Sequence, residues 1–203
     1  MDKLYYISQG DHLKNIENAC EGGVRLVQLR AKELSFKEHN KLALKAKEIC
    51  DSHGAILIIN DNVEVAAIVN AQGVHLGKSD RTAKEARAML GVDKIIGATA
   101  NTYEDCMELI HQKVDYIGLG PFRFTATKQH LSPLLGLEGY RRILQKLNKN
   151  GCNTPVYAIG GIEKEDVKAL FKTNINGVAV SGILSGKTTA EIKIDYEYIS
   201  NCG

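Results

Sequence analysis

Eight short apolar runs recur along the chain, and an amphipathic segment follows each one. The runs cover residues 4–7, 26–30, 56–59, 73–76, 95–98, 116–119, 156–159 and 177–180. They are rich in Ile, Val and Leu, and several are almost continuously hydrophobic, as parallel strands covered on both faces are. Helical patterns fill the gaps at 11–22, 35–52, 63–70, 82–90, 103–112, 137–148, 164–172 and, more weakly, 190–200. Ser35 with Glu38 three residues on is a helix-start signal, and Gly54 and Gly91 stand where helices should stop. Strict alternation leaves a doubly wound sheet or a (β/α)8 TIM barrel. Eight units favour the α/β barrel, although 203 residues is short for one. No linker or low-complexity tract divides the chain, so residues 1–203 read as a single (β/α)8 barrel domain. Pro121, Pro133 and Pro155 fall in loops or at strand starts.

Composition narrows the function classes. A formal net charge of +2 gives no bulk electrostatic reason to bind nucleic acid or a membrane surface. No apolar stretch approaches the length of a membrane span, and the first residues lack a signal-peptide pattern. Cys20, Cys50, Cys106, Cys152 and Cys202 are odd in number and widely spaced, without a C-x-x-C pair. That suits reduced thiols in a cytoplasmic protein better than a disulfide framework or a zinc site. Most are expected as small apolar fillers, and Cys202 as an exposed, oxidisable thiol. A homo-oligomer is compatible with the sequence.

In a barrel, chemistry gathers at the C-terminal strand ends. After the second run come Gln28, Leu29, Arg30, Ala31 and Lys32, and after the third Asn60 and Asp61. Gly77, Lys78, Ser79 and Asp80 follow the fourth, and Thr99 and Asn101 close the fifth. The sixth opens into a loop with Thr125, Ala126, Thr127 and Lys128; Gly160-Gly161 and Ser181-Gly182 follow the last two. Singly, each has a plain structural role. Asn60-Asp61 suits a helix cap, Asp80 a turn before Thr82, Thr99 a core hydroxyl bonded to backbone, and His75 a satisfied core histidine. Together they are a rim of complementary charge. Two carboxylates on adjacent strands suit a hard cation such as Mg²⁺. Arg30, Lys32 and Lys128 would balance a diphosphate, and the glycines leave N–H groups for a second phosphate. The 125–128 loop is no Walker A motif. Two anionic ligands beside one metal ion are the expectation.

The segments VQLRAK (27–32), IINDN (58–62), GVHLGKSD (73–80), IIGATANT (95–102), DYIGLGP with TATK (115–128), AIGGI (158–162) and GVAVSG (177–182) together resemble the thiamine-phosphate synthase family. The resemblance spans nearly the whole chain, with seven motifs in order. It implies a barrel transferase that joins 4-amino-2-methyl-5-hydroxymethylpyrimidine diphosphate to a thiazole phosphate. Diphosphate leaves and thiamine phosphate forms, with one Mg²⁺ per active site.

The resemblance assigns Gln28, Leu29, Arg30, Ala31, Lys32, Asn60, Thr99 and Lys128 to the pyrimidine diphosphate. Lys32, Lys128, Arg30 and Thr99 would be catalytic. Thr125, Ala126, Thr127, Gly161, Ser181 and Gly182 would bind the thiazole phosphate, and Asp61 and Asp80 the metal. Residues 122–128 would form a lid. This chain departs from the common pattern in three places: Thr99 where many members have serine, Arg123-Phe124 in the loop, and GVAVSG followed by Ile183-Leu184. The partners implied are two phosphorylated small molecules. Rival readings are a relative that isomerises thiazole phosphate, a non-catalytic barrel that binds a thiamine-related phosphate, and an unrelated phosphate-binding isomerase. The retained Lys32, Asp61, Asp80 and Lys128 argue against them.

Overall fold

The structure is a computed structural model describing residues 2–124 and 134–202. Eight parallel strands close in chain order: β1 (Leu4–Ile7), β2 (Leu26–Leu29), β3 (Ile56–Asn60), β4 (Gly73–Leu76), β5 (Ile95–Ala100), β6 (Tyr116–Leu119), β7 (Val156–Ile159) and β8 (Gly177–Val180). β1 pairs with β8 through Leu4 and Val178, which closes the barrel. Helices α1 (His12–Glu21), α2 (Phe36–Ser52), α3 (Val63–Ile68), α4 (Ala83–Leu90), α5 (Tyr103–His111), α6 (Gly136–Lys149), α7 (Val167–Phe171) and α8 (Thr189–Ser200) alternate with the strands.

Five strands match their sequence-derived bounds. β2 ends one residue early, while β3 and β5 run on to Asn60 and Ala100. The first turn expected of the seventh helix is instead a 3-10 turn at Lys164–Asp166. Ser35 starts α2 with a full capping box to Glu38, as its spacing implied. Thr82, Thr102 and Thr188 do the same for α4, α5 and α8.

Two apolar layers follow from strand alternation. Residues such as Leu4, Val27, Leu29, Leu57 and Val178 face outward against the helices. Tyr5, Leu26, Ile58, Tyr116, Tyr157 and Ala179 fill the barrel. The three tyrosine rings meet edge to face at 5.7 Å between centroids, an arrangement favoured by the ring quadrupole. Glycine makes the room. Gly97 lies opposite Tyr116, and Gly177 opposite Tyr157. Above this plug, Tyr140 of α6 ties two strand ends together: its hydroxyl donates to the Leu119 carbonyl and accepts from the Ile159 N–H at 3.3 Å.

Cys20, Cys50 and Cys106 are buried, and Cys152 and Cys202 half-buried; all five are free thiols. Cys202 is thus less open than the sequence led one to expect. No helix among the described residues is long and apolar enough to cross a membrane.

Candidate active site

The acidic pair stands on the rim formed by β3 and β4. Asp61 follows β3 directly, with φ at 63°. This left-handed conformation costs a non-glycine residue roughly 1–3 kcal/mol where it is not locally favoured, and Asp tolerates it better than most. The turn is held by its own backbone. The Asp61 N–H donates to the His75 carbonyl at 2.8 Å, and the Asn62 N–H folds back on Asn60 at 2.7 Å.

Asn62 caps α3, its Oδ1 accepting from the Val65 N–H at 2.9 Å. The cap expected of Asn60-Asp61 therefore falls one residue later, which leaves both side chains outside the helix terminus. Asp80 is fixed by the Gly77 N–H, which donates to its Oδ2 at 2.7 Å. A methyl group on Gly77 would crowd that oxygen at 2.9 Å.

Desolvation, then a hydrogen bond to Asp80 and the Asp80 charge, push the Asp61 carboxyl up to about 6, although part of the residue stays open to solvent. Arg30 and Lys32 act in the opposite direction. The four charged residues therefore share one electrostatic neighbourhood. Two like charges raise a carboxyl unless a cation sits between them.

Arg30 leaves β2 half-buried, and Lys32 is exposed beyond it. The Arg30 N–H donates to Ser8 Oγ at 3.2 Å. Leu29 is fully buried in the helix-facing layer, so its main chain alone is available to a ligand. Ala31 packs half-buried against the same layer. Gln28 points into the barrel, where its Nε2 donates to the Tyr5 hydroxyl at 2.7 Å. Among the described residues no backbone group bonds the Thr99 hydroxyl, unlike the core hydroxyl its place in the strand suggested. Its Oγ1 lies 3.0 Å from His75 Nε2, and His75 Nδ1 lies 2.9 Å from the Tyr116 hydroxyl. His75 is the buried, satisfied histidine that its apolar run implied.

A second part of the rim belongs to β6, β7 and β8. Gly160 and Gly161 have φ of 89° and 70°. Both carbonyls are engaged by one residue: the Arg123 N–H donates to Gly160 at 3.1 Å, and Arg123 Nη1 to Gly161 at 3.0 Å. In a trans peptide the next N–H points opposite its carbonyl. The amides of Gly161 and Ile162 are thus turned away from Arg123. The guanidinium is itself held by Asp166 in a two-pronged pair at 2.6 and 2.9 Å. It also lies 5.0 Å over the Phe122 ring.

A cleft of about 370 Å³ runs past Gly160, Gly161, Ser181 and Gly182 to Arg30. The loop assignments Thr125, Ala126, Thr127 and Lys128, and Pro133, lie outside the described residues. Their flanks are joined, since Leu135 N–H donates to Pro121 and Gly136 N–H to Phe122 at 3.0 Å each.

Comparison with known proteins bears on this rim. A sequence profile described as thiamine monophosphate synthase matches residues 4–184. The chain belongs to the thiamine monophosphate synthase family. It is a transferase of thiamine biosynthesis. The thiamine-phosphate synthase of Flavobacterium johnsoniae is 49% identical over 197 residues, covering 95% of this chain and 93% of the relative. That of Bacteroides fragilis (strain ATCC 25285) is 51% identical over 174 residues, 85% of each. Among solved structures, the thiamine phosphate pyrophosphorylase of Pyrococcus furiosus superposes with a TM-score of 0.83 at 29% identity, covering 97% of this chain and 96% of that one.

The fold thus brings Arg30, Lys32, Asp61 and Asp80 together on one side of the family's barrel mouth. Gly161, Ser181 and Gly182 gather on the other, and Arg30 reaches both. Sequence reasoning missed Ser8, which closes β1 at 1% exposure and supports Arg30. The rule applied to the other strand ends would have found it. It also missed Asp166, whose link to Arg123 spans 43 positions and has no local signal.

Proposed function

We propose that this thiamine monophosphate synthase family member condenses 4-amino-2-methyl-5-hydroxymethylpyrimidine diphosphate with a thiazole phosphate. One observation carries the reading: Arg30 lines the cleft of the two-glycine turn and Ser181-Gly182, and also lowers the Asp61 carboxyl on the opposite side. A cation shared by two anion sites is what a reaction between a diphosphate and a phosphate needs. The names of the relatives support the same chemistry.

Asp61 and Asp80 fit Mg²⁺. Among the described residues no three acidic, His or Cys side chains converge as a closed metal cage. Mg²⁺ does not need one, because it keeps waters and takes substrate phosphate oxygens beside one or two carboxylates. Desolvation and then Asp80 raise the Asp61 carboxyl, and a cation between the two carboxylates would act against both causes. When bound, the ion would supply charge stabilisation to the leaving diphosphate.

The chain's own residues do the rest. Arg30, Lys32 and Lys128 offset charge that grows on the diphosphate as the CH2–O bond breaks and the electron pair leaves with oxygen. The pyrimidine cation is stabilised by its ring amino group. The thiazole nitrogen lone pair then forms the new C–N bond, and no general base is required. Gly161 and Ile162 amides with Ser181 and Gly182 hold the thiazole phosphate and so orient its ring. The free thiols suit a cytoplasmic setting.

A coupled assay tests this. Purified protein with both substrates and Mg²⁺ should release thiamine phosphate and diphosphate in equal amounts. Conversion of a thiazole phosphate alone, with no coupling, would replace this reading by isomerisation.

A further inference from the structure

Four hydrogen bonds run through the barrel interior from β2 to β5. Gln28 Nε2 donates to Tyr5 Oη at 2.7 Å. Tyr5 Oη lies 2.8 Å from Tyr116 Oη. Tyr116 Oη lies 2.9 Å from His75 Nδ1, and His75 Nε2 lies 3.0 Å from Thr99 Oγ1.

The direction of this chain follows from its first member. An amide nitrogen only donates, so the Tyr5 oxygen accepts from Gln28. Tyr5 is 1% exposed, and among the described residues Tyr116 is the remaining partner for its single hydrogen. Tyr5 therefore donates to Tyr116. Tyr116 is fully buried and spends its own hydrogen on His75 Nδ1. Burial pushes both phenols up, so each keeps its proton. A neutral imidazole that accepts at Nδ1 carries its proton on Nε2. It then donates to Thr99. A charged imidazolium would donate at Nδ1 as well. That would reverse the Tyr116 hydrogen and strand the Tyr5 hydrogen in the core, a costly arrangement.

We infer that His75 is a positioning residue, held as the Nε2–H tautomer by Gln28, Tyr5 and Tyr116, and that it turns the Thr99 hydroxyl hydrogen toward the barrel mouth. Thr99 oxygen is occupied as an acceptor, and its side chain is half-exposed at the rim. No described residue takes its hydrogen, which is left for a bound acceptor, a phosphate oxygen or a ring nitrogen of the pyrimidine substrate. Only this last step rests on the function proposed above. The inward-facing tyrosine and histidine hydrogen bonds thus set the polarity of one group at the substrate end.

The first test needs no substrate. Nitrogen-15 spectra of histidine-labelled full-length protein at neutral pH should show His75 with a protonated Nε2 and a bare Nδ1, the signal assigned by its loss in His75→Asn. A protonated Nδ1, or an imidazolium, would overturn the inference.

Tyr116→Phe keeps the ring and removes the donor to Nδ1. It should mix the His75 tautomers and lower kcat/KM for the pyrimidine substrate about tenfold, with KM for the thiazole phosphate unchanged. Tyr5→Phe, one link earlier, should act in the same direction and serves if Tyr116→Phe fails to fold. Unchanged pyrimidine kinetics with altered tautomers would also overturn the positioning role. Absence of coupling by the wild-type protein would instead remove the proposed function and leave the tautomer result standing.

Discussion

Gly97 and Tyr116 face each other across β5 and β6, and a methyl group built on Gly97 would lie 2.0 Å from the Tyr116 ring carbon that bears the hydroxyl. The glycine is therefore the space in which the ring sits. Gly97→Ala must displace the ring from the position in which its hydroxyl meets both Tyr5 and His75. Overpacking of this kind costs about 1–3 kcal/mol, which for a chain of this size lowers Tm by several degrees. Thermal unfolding monitored by circular dichroism checks it. An unchanged Tm would mean that the barrel plug yields far more easily than its packing implies.

The raised Asp61 carboxyl predicts how metal and pH act together. Its folded value, about 6, lies above the ordinary carboxylate range. The folded protein thus holds a proton that the unfolded chain has released. Metal-free stability should fall as pH rises through that window and stay lower above it. Asp61→Asn should raise the metal-free Tm at neutral pH, while Mg²⁺ should stabilise the wild type and not the variant. Calorimetry with and without EDTA decides it; a Mg²⁺ response retained by the variant would place the ion elsewhere.

Arg123 predicts an effect confined to one substrate. Its backbone and guanidinium hold both carbonyls of the Gly160-Gly161 turn. Arg123→Ala should free that turn and reduce kcat/KM for the thiazole phosphate about tenfold through loss of positioning. Arg123→Lys should recover little, since a point charge cannot reproduce the paired contact with Asp166. Steady-state kinetics with each substrate varied in turn are the measurement. A defect seen only with the pyrimidine substrate would sink the cradle assignment.

Asp195 predicts the acid limb of stability. Burial pushes its carboxyl up, but hydrogen bonds from Lys164 and Lys187 outweigh this and hold it below the ordinary range. Both contacts are 2.5 Å, and they tie the 3-10 turn before α7 and the β8–α8 loop to α8. A depressed carboxyl stabilises the fold above its unfolded value and loses that contribution as pH falls, here below about pH 4. Asp195→Asn should cost about 1–3 kcal/mol at neutral pH, the range for a buried partner removed beside amines that remain partly hydrated. It should also flatten stability between pH 5 and 3 (~1 unit either side of the carboxylate range). Urea titrations across that range would show it.

Local pattern accounts for much of this molecule. The apolar runs bury on both faces because each strand is covered by a helix outside and by the plug inside. Ser35 with Glu38 caps α2 because a hydroxyl three residues before a carboxylate satisfies two backbone donors at once. Asp61 and Asp80 were readable as a pair because strand ends in a closed barrel can only converge at one mouth.

Other relationships have no signature in the spacing of residues. Arg123 meets Asp166, and Lys164 meets Asp195 of α8, because segments distant in the chain are brought side by side by the closed barrel. Gln28 and Thr99 looked alike as polar strand ends. Only the closed barrel sets Tyr5, Tyr116 and His75 between them. Sequence by itself determined the number of strands, their succession along the chain and which residue types follow each one, since these depend on periodicity and short-range capping. Tertiary structure decided which carbonyls face Arg123, which nitrogen of His75 faces Thr99 and how strongly Asp61 feels Asp80. Those depend on distances of a few ångströms across the closed sheet, which periodicity does not encode.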